Sequence, residues 1–339
     1  MILAFSIWLF YNDVREIELE PASTKVVTLK VVGRTDFIGA SHKRLFHWSA
    51  DGSLKLSFNL QDNTYVNDLY YDGAYYWISC HSGGPLFTLV FNKQGQLLDK
   101  LEGEDKSFRF FLPLKDELLA VTHSSSERLY QNPYFYQLQK VDFSYEENSF
   151  HVRTFDSFAK IRQKQRDYGF SFKGVFLAKR DKSYLVMFEL EPNVLIYNAE
   201  NIAKERRDGT QHPTDVEEIK LDLPEYVPPP EKFYRVKPPM SKKKFLELRA
   251  RWLYSWSRIT GFQNFRNGFL VAYGIPVCSE GECVHILGIQ VLDRDLKTMG
   301  KLIKVEGNFF GVHQEEVFAF QRVGLSDGKE KLTVLAIKP

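Results

Sequence analysis

The stretch Leu86-Phe87-Thr88-Leu89-Val90-Phe91-Asn92-Lys93-Gln94-Gly95-Gln96-Leu97-Leu98 reads as one hairpin: an apolar run, a turn centred on Gln94-Gly95, and a second run. The same grammar recurs at Leu45 to Leu56 around Asp51-Gly52 and at Tyr136 to Val152 around Glu146-Glu147-Asn148. Looser copies stand at Val194 to Glu205 and Ile286 to Ile303. Alternating runs parted by Asp, Asn or Gly turns mark antiparallel strands, and their recurrence marks a repeat architecture.

Working outward, the chain divides into about six units of this kind. Val14 to Glu20 alternates cleanly but stands alone. Units follow at Lys25 to Asn59, Tyr65 to Leu101 and Phe108 to Phe155, the third with a longer inner loop at Ser124 to Pro133. A fourth opens at Phe170, with its last strand delayed to Val216 to Leu221, and a fifth runs from Ile259 to Val305. The last, from Asn308, supplies only three strands: Phe309 to His313, Val317 to Val323 and Lys331 to Ile337. The orphan Val14 to Glu20 is the missing fourth, so the two ends of the chain are expected to pair and remove the open sheet edge.

With 339 residues, 44% hydrophobic and 15% aromatic, the chain can bury a large core. A formal net charge of +2 supplies no global field for nucleic acid or membrane. Residues 1–13 form an apolar tail about half as long as a spanning helix requires. It lacks a basic n-region and reads either as a signal or anchor remnant or as a strand packing on the fold. No transmembrane span is expected, and residues 14–339 read as a single, monomeric domain.

Asp68-Leu69-Tyr70-Tyr71-Asp72-Gly73, then Tyr76-Trp77-Ile78, then Leu89 to Leu98 resemble blades of six-bladed β-propellers of the NHL and TolB-like kind. The resemblance extends over most of Val14 to Pro339. It implies an all-β, six-bladed β-propeller of four-stranded antiparallel blades, closed by the N-terminal strand in the C-terminal blade. WD40 and kelch marks are missing. Six-bladed lactonases hold a divalent cation, such as calcium, with channel-facing Glu, Asn and Asp. Asn67, Glu189 and Asn267 are the candidates that this likeness implies here, with a metal-dependent hydrolase or lactonase as the alternative function.

Residues 224–256 break the pattern between the fourth and fifth units. Pro228-Pro229-Pro230 and Pro238-Pro239 impose an extended path. Ser241 is a plausible N-cap for a helix to Trp256 that places Phe245, Leu248, Trp252 and Trp256 on one face. This insertion is either a cap on the propeller or a partner-binding element with Lys242, Lys243, Lys244, Arg249 and Arg251 on its solvated side.

Cys278 and Cys283 flank Ser-Glu-Gly-Glu, a spacing that sets them opposite each other across a hairpin; a disulfide is the preferred reading over a metal site or free thiols. Such a bond favours an extracytoplasmic compartment, periplasmic or secreted. Cys80 reads as a buried small hydrophobe. His81, His123 and His313 fall near strand ends where channel and loops begin, either as a binding constellation or as locally hydrogen-bonded residues. Nothing forms a serine elbow, a phosphate loop or a dinucleotide fingerprint. The expectation is therefore a non-catalytic scaffold, without cofactor, that presents a propeller face or central funnel to a protein, peptide or glycan.

Overall fold

The computed structural model of the chain describes residues 14–20, 25–33, 36–60, 64–82, 86–103, 108–114, 117–123, 135–146, 149–162, 174–198, 216–229, 241, 244, 247, 251–279, 282–324 and 330–339. The apolar tail, the loop at Ser124 to Pro133, and Lys242, Lys243, Phe245, Leu248 and Arg249 of the insertion lie outside the described residues.

Among the described residues, twenty-four strands follow in chain order. After β1 (Val14–Glu18) come β2 (Thr28–Val32), β3 (Asp36–Ala40), β4 (Arg44–Trp48) and β5 (Leu54–Asn59), then β6 (Tyr65–Tyr71), β7 (Tyr75–His81), β8 (Leu86–Asn92) and β9 (Leu97–Glu102). Next are β10 (Phe110–Pro113), β11 (Leu118–His123), β12 (Phe135–Glu146) and β13 (Ser149–Arg162), then β14 (Val175–Arg180), β15 (Ser183–Phe188), β16 (Glu191–Asn198) and β17 (Glu217–Lys220). The chain ends with β18 (Arg258–Phe265), β19 (Gly268–Ser279), β20 (Glu282–Leu292) and β21 (Thr298–Val305), then β22 (Asn308–His313), β23 (Glu316–Gly324) and β24 (Glu330–Ile337).

These strands form six four-stranded sheets, five of them simple meanders and the last ordered β1-β24-β23-β22. The orphan strand thus pairs where expected, antiparallel to β24 from Val14 opposite Ile337 to Glu18 opposite Thr333. Beyond it, Leu19 N–H donates to Leu332 O at 3.0 Å, and Glu20 N–H donates to Gly52 O at 3.0 Å in the first meander. Gly52 has φ +91°, and a Cβ there would lie 2.1 Å from Glu18 O, so the Asp51-Gly52 turn needs glycine both for its conformation and for this crossing. The looser copy at Val194 to Glu205 is not one hairpin: β16 pairs instead with the delayed β17, Val194 opposite Ile219.

Successive side chains point to opposite faces of a strand, and β3, β7, β8 and β15 are buried at almost every residue, so both faces of a sheet carry buried residues and the core lies in the seams between sheets. Phe37 and Trp48 pack with Phe318 and Val334; Ile38 and Leu45 with Leu69 and Ile78; Trp77 and Val90 with Phe111 and Leu118. Leu119 and Val121 pack with Val186 and Phe188, Leu185 and Met187 with Phe262 and Tyr273, and Leu270 and Ile289 with Val317 and Leu335. Every seam joins sheets consecutive in the chain, and the seam at Phe37 joins the last sheet to the first. The fold is an all-β propeller with four-stranded antiparallel blades.

The described residues of the insertion carry the expected helix in part. Ser241 Oγ accepts from Lys244 N–H at 3.3 Å, as an N-cap does. Among the described residues Lys244, Glu247 and 251–254 are helical, and the last of them lies two residues before Trp256. It stops because Ser255 Oγ takes up Arg251 O at 2.9 Å, and Ser257 N–H turns away to Val227 O at 2.8 Å. Trp252 is buried, Trp256 half-buried, and Lys244 and Arg251 are exposed. Among the described residues no helix is long and apolar enough to cross a membrane.

Candidate functional site at the propeller centre

The first strands of the sheets stand side by side, β22 next to β2, β2 next to β6, β6 next to β10, and β14 next to β18 and β18 next to β22. They wall a central cavity of about 1070 Å³. Its polar lining comes from separate strands: Thr28 and Lys30, Asn67 and Asp68, Thr260 and Gln263, and His313. Its apolar lining includes Phe110, Phe176 and Phe309, each half-buried, so part of each ring is left to the cavity.

Three of these strands carry a β-bulge at the same place. Val66 pairs with Cys80 and Asp68 with Ser79, leaving Asn67 as the extra residue. Thr260 is extra between Ile259 and Gly261, and Phe310 between Phe309 and Gly311. Each is the third residue of its strand, and each lines the cavity. A bulge re-aims a side chain without breaking the sheet, and here the repetition sets Asn67 and Thr260 at one strand position on different sheets. Gly261 has a further role: a Cβ there would lie 2.0 Å from Phe309 Cε1, so the glycine admits the Phe309 ring of the next sheet.

The charges of the lining are answered within the protein. Asp68, buried, accepts from Lys30 Nζ at 3.0 Å and from Phe111 N–H at 2.9 Å, tying together three consecutive sheets. Lys179 Nζ meets Glu117 Oε1 at 2.5 Å, and its backbone is clamped by Asn264, whose Oδ1 accepts from Lys179 N–H at 2.9 Å. Asp181 pairs with Arg294, and Arg266 donates to Pro339 O at 2.9 Å. The uncharged donors and acceptors and the aromatic rings are what the cavity presents.

Of the residues singled out in the sequence, the structure brings Asn67 and His313 to this cavity. His313 ends β22, and its buried Nε2 has no hydrogen-bond partner. Glu189 lies in the β15–β16 turn; it pairs with Arg258 and its Oε2 accepts from Gly174 N–H at 3.1 Å, so it joins two sheets and is not among the lining residues. Its position one strand out from the channel explains this: the backbone at Glu189 pairs with Ile259, at the edge of β18. Asn267 sits exposed in the β18–β19 turn. His81 ends β7 and stacks on Tyr65 with ring centroids 5.3 Å apart. His123 ends β11, and its side chain lies outside the described residues. Sequence reasoning missed Lys30, Asp68, Thr260, Gln263 and the three phenylalanines. The available signal was the glycine after two bulged residues, Gly261 and Gly311, inside otherwise apolar strands.

Cys278 and Cys283 form a disulfide, directly opposite each other in the β19–β20 register. Cys80 is buried, and burial pushes its thiol pKa up, which makes it inert. Among the described residues no group of three or more His, Cys, Asp or Glu could hold a metal ion.

Compared by sequence, the chain matches no protein family and no curated protein. Compared by structure, it is similar to a luciferin-regenerating enzyme, at 9% identity over 95% of each chain with a TM-score of 0.50. A gluconolactonase from Xanthomonas campestris is 14% identical over 97% of this chain and 91% of that one, with a TM-score of 0.49. A protein described as exported, from Bacteroides fragilis, is 10% identical over 96% and 95%, with a TM-score of 0.49. At such identities the likeness is one of fold.

Proposed function

We propose that this chain is a six-bladed propeller of the NHL and TolB-like kind that works as a non-catalytic binding scaffold, taking a peptide, a glycan or a protein loop into its central cavity. The observation that carries the reading is the character of the lining. Its charges are balanced by partners in the protein, while Asn67, Thr260, Gln263 and the half-buried Phe110, Phe176 and Phe309 face the space. A concave site that sets aromatic rings beside uncharged polar groups, with its charged side chains engaged within the protein, suits an uncharged polar ligand. The alternative, a hydrolase or lactonase using a divalent cation such as calcium, needs several oxygen ligands to converge. The buried carboxylates of Asp68 and Glu189 are each already engaged by a cation and a backbone N–H, which weighs against it.

The test is thermal stabilisation in the presence of sugars, blocked peptides and calcium chloride, each alone and combined. A ligand at a hundred times its Kd stabilises by about 2.7 kcal/mol. Stabilisation by a sugar or peptide without calcium, abolished by Gln263→Ala, is expected. Turnover of a lactone that depends on added calcium would overturn the scaffold reading. The disulfide supports an extracytoplasmic site of action. Thiol labelling of Cys278 and Cys283 in unreduced protein from its native compartment would contradict it.

A further inference from the structure

A second cavity, of about 550 Å³, lies between the sheet of β18–β21 and the closing sheet. Thr260 and Phe309 line both it and the central cavity, so the two spaces meet at these side chains. Beyond Phe309 the second space is walled by Tyr254, Val284, His285, Asn308 and Gln321. Tyr254 comes from the insertion and is 45% exposed. His285 belongs to a two-stranded ribbon: β18 pairing ends at Gly274 and β21 pairing ends at Leu287, so 275–279 and 282–286 run on without other sheet neighbours. Such a ribbon is marginal alone, and here the Cys278–Cys283 bond closes its tip. His285 Nε2–H donates to Trp256 O at 2.9 Å, and its ring lies 5.1 Å from that of Tyr254, which ties the ribbon to the insertion.

The charges here are also accounted for. Arg258 pairs with Glu189, Arg322 donates to Val26 O, and the Glu306 carboxylate is exposed. What remains is an aromatic face on each side of the junction, Phe309 held against Gly261 and Tyr254 held against His285, with amides and a hydroxyl between. The C–H face of a sugar ring suits the electron-rich face of an aromatic ring, and its hydroxyls suit amides. An uncharged chain of such rings matches this sequence of aromatic and amide surfaces, in which Glu306 is the exposed charge.

From this we infer that the two cavities are successive subsites for one linear, neutral oligosaccharide, which enters the central cavity and passes over Phe309 toward Tyr254. The inference rests on the central cavity being the ligand site. An array of neutral oligosaccharides of increasing length, with acidic oligosaccharides and short peptides alongside, is followed by calorimetric titration of the binders. Affinity is expected to rise with chain length. Tyr254→Ala and, independently, Asn308→Ala, both at exposed positions that line only the second cavity, should leave binding of the shortest sugar unchanged. Tyr254→Ala should weaken the longest about three- to tenfold, as the loss of one aromatic contact implies. Length-independent affinity, or silence of both variants on long chains, would overturn the two-subsite inference while leaving a central binding site standing. Binding confined to peptides or acidic sugars would also overturn it. Failure of the whole array would remove the central site as well.

Discussion

Asp68 shows how one side chain can be chosen for the ring and not for a ligand. Its carboxylate satisfies Lys30 on one side and Phe111 N–H on the other, across two seams. Asp68→Ala strands a buried N–H, which costs about 1–3 kcal/mol; Asp68→Asn keeps an acceptor and should cost less. Urea unfolding of both variants checks this, and equal losses would mean that the charge and not the acceptor matters. His47 is the second such residue. Its Nε2 faces the Asp36 carboxylate at 3.3 Å, so Nε2 carries the hydrogen, and Nδ1 accepts from Tyr76 OH at 2.6 Å. Lys55 also meets Asp36, at 2.6 Å, and the Tyr71 ring covers His47. Burial lowers the His47 pKa, partly offset by Asp36, and burial raises that of Tyr76. A base whose folded pKa lies below its unfolded value stabilises fully above the unfolded pKa, about 6.5, and loses that contribution as pH falls below it. Stability should therefore decline as pH falls below about 6.5, and His47→Gln should flatten part of the slope. His285, whose pKa burial also lowers, contributes in the same direction. An unaltered slope in His47→Gln would remove His47 from the account.

Among the elements, the β19–β20 ribbon is where local and global stability part. Closing its short loop contributes about 2 kcal/mol on the chain-entropy model, and it acts on a segment outside the four-stranded sheet. Reduction should release amide protection at 275–279 and 282–286 while protection in β18 and in β19 up to Gly274 persists, read by hydrogen exchange. Loss of protection across the whole sheet would show that the ribbon supports the blade. The disulfide was legible from the sequence because a hairpin spacing fixes which residues oppose each other. The β12–β13 turn after Glu146 was legible for the same reason. The cavity lining was less so: Asn67 was among the candidates but Thr260 and Phe309 were not, since a bulge shifts register by one residue and leaves the alternation on either side intact. The helix expected to Trp256 ends two residues early. Apolar residues at spacings of three and four describe a face, yet Ser255 and Ser257 find better backbone partners in the turn and at Val227.

For the whole molecule, the deciding contact is the one between its ends. Each seam depends on both flanking sheets, so the core is continuous around the ring only while the closing sheet is complete. β1 gives that sheet its fourth strand, and Ile17 and Leu19 enter the same seam as Phe37, Trp48 and Phe318. This closure was readable in the sequence, because a lone alternating strand at one end and a three-stranded unit at the other have one economical solution. The channel lining was not, because it depends on how first strands of different units align around a common axis. A chain beginning at Ala22 loses the β1 ladder, two buried apolar side chains and the link from Glu20 to Gly52, and it leaves β24 as an open, apolar edge. Burying Ile17 and Leu19 alone is worth about 3–6 kcal/mol, a large share of the net stability of a folded domain. The truncated chain should melt well below the full one and associate through the exposed edge, and adding a peptide of residues 14–20 in excess should restore part of the melting temperature. Equal melting temperature and a monodisperse truncated chain would show that the ring holds without its closing strand.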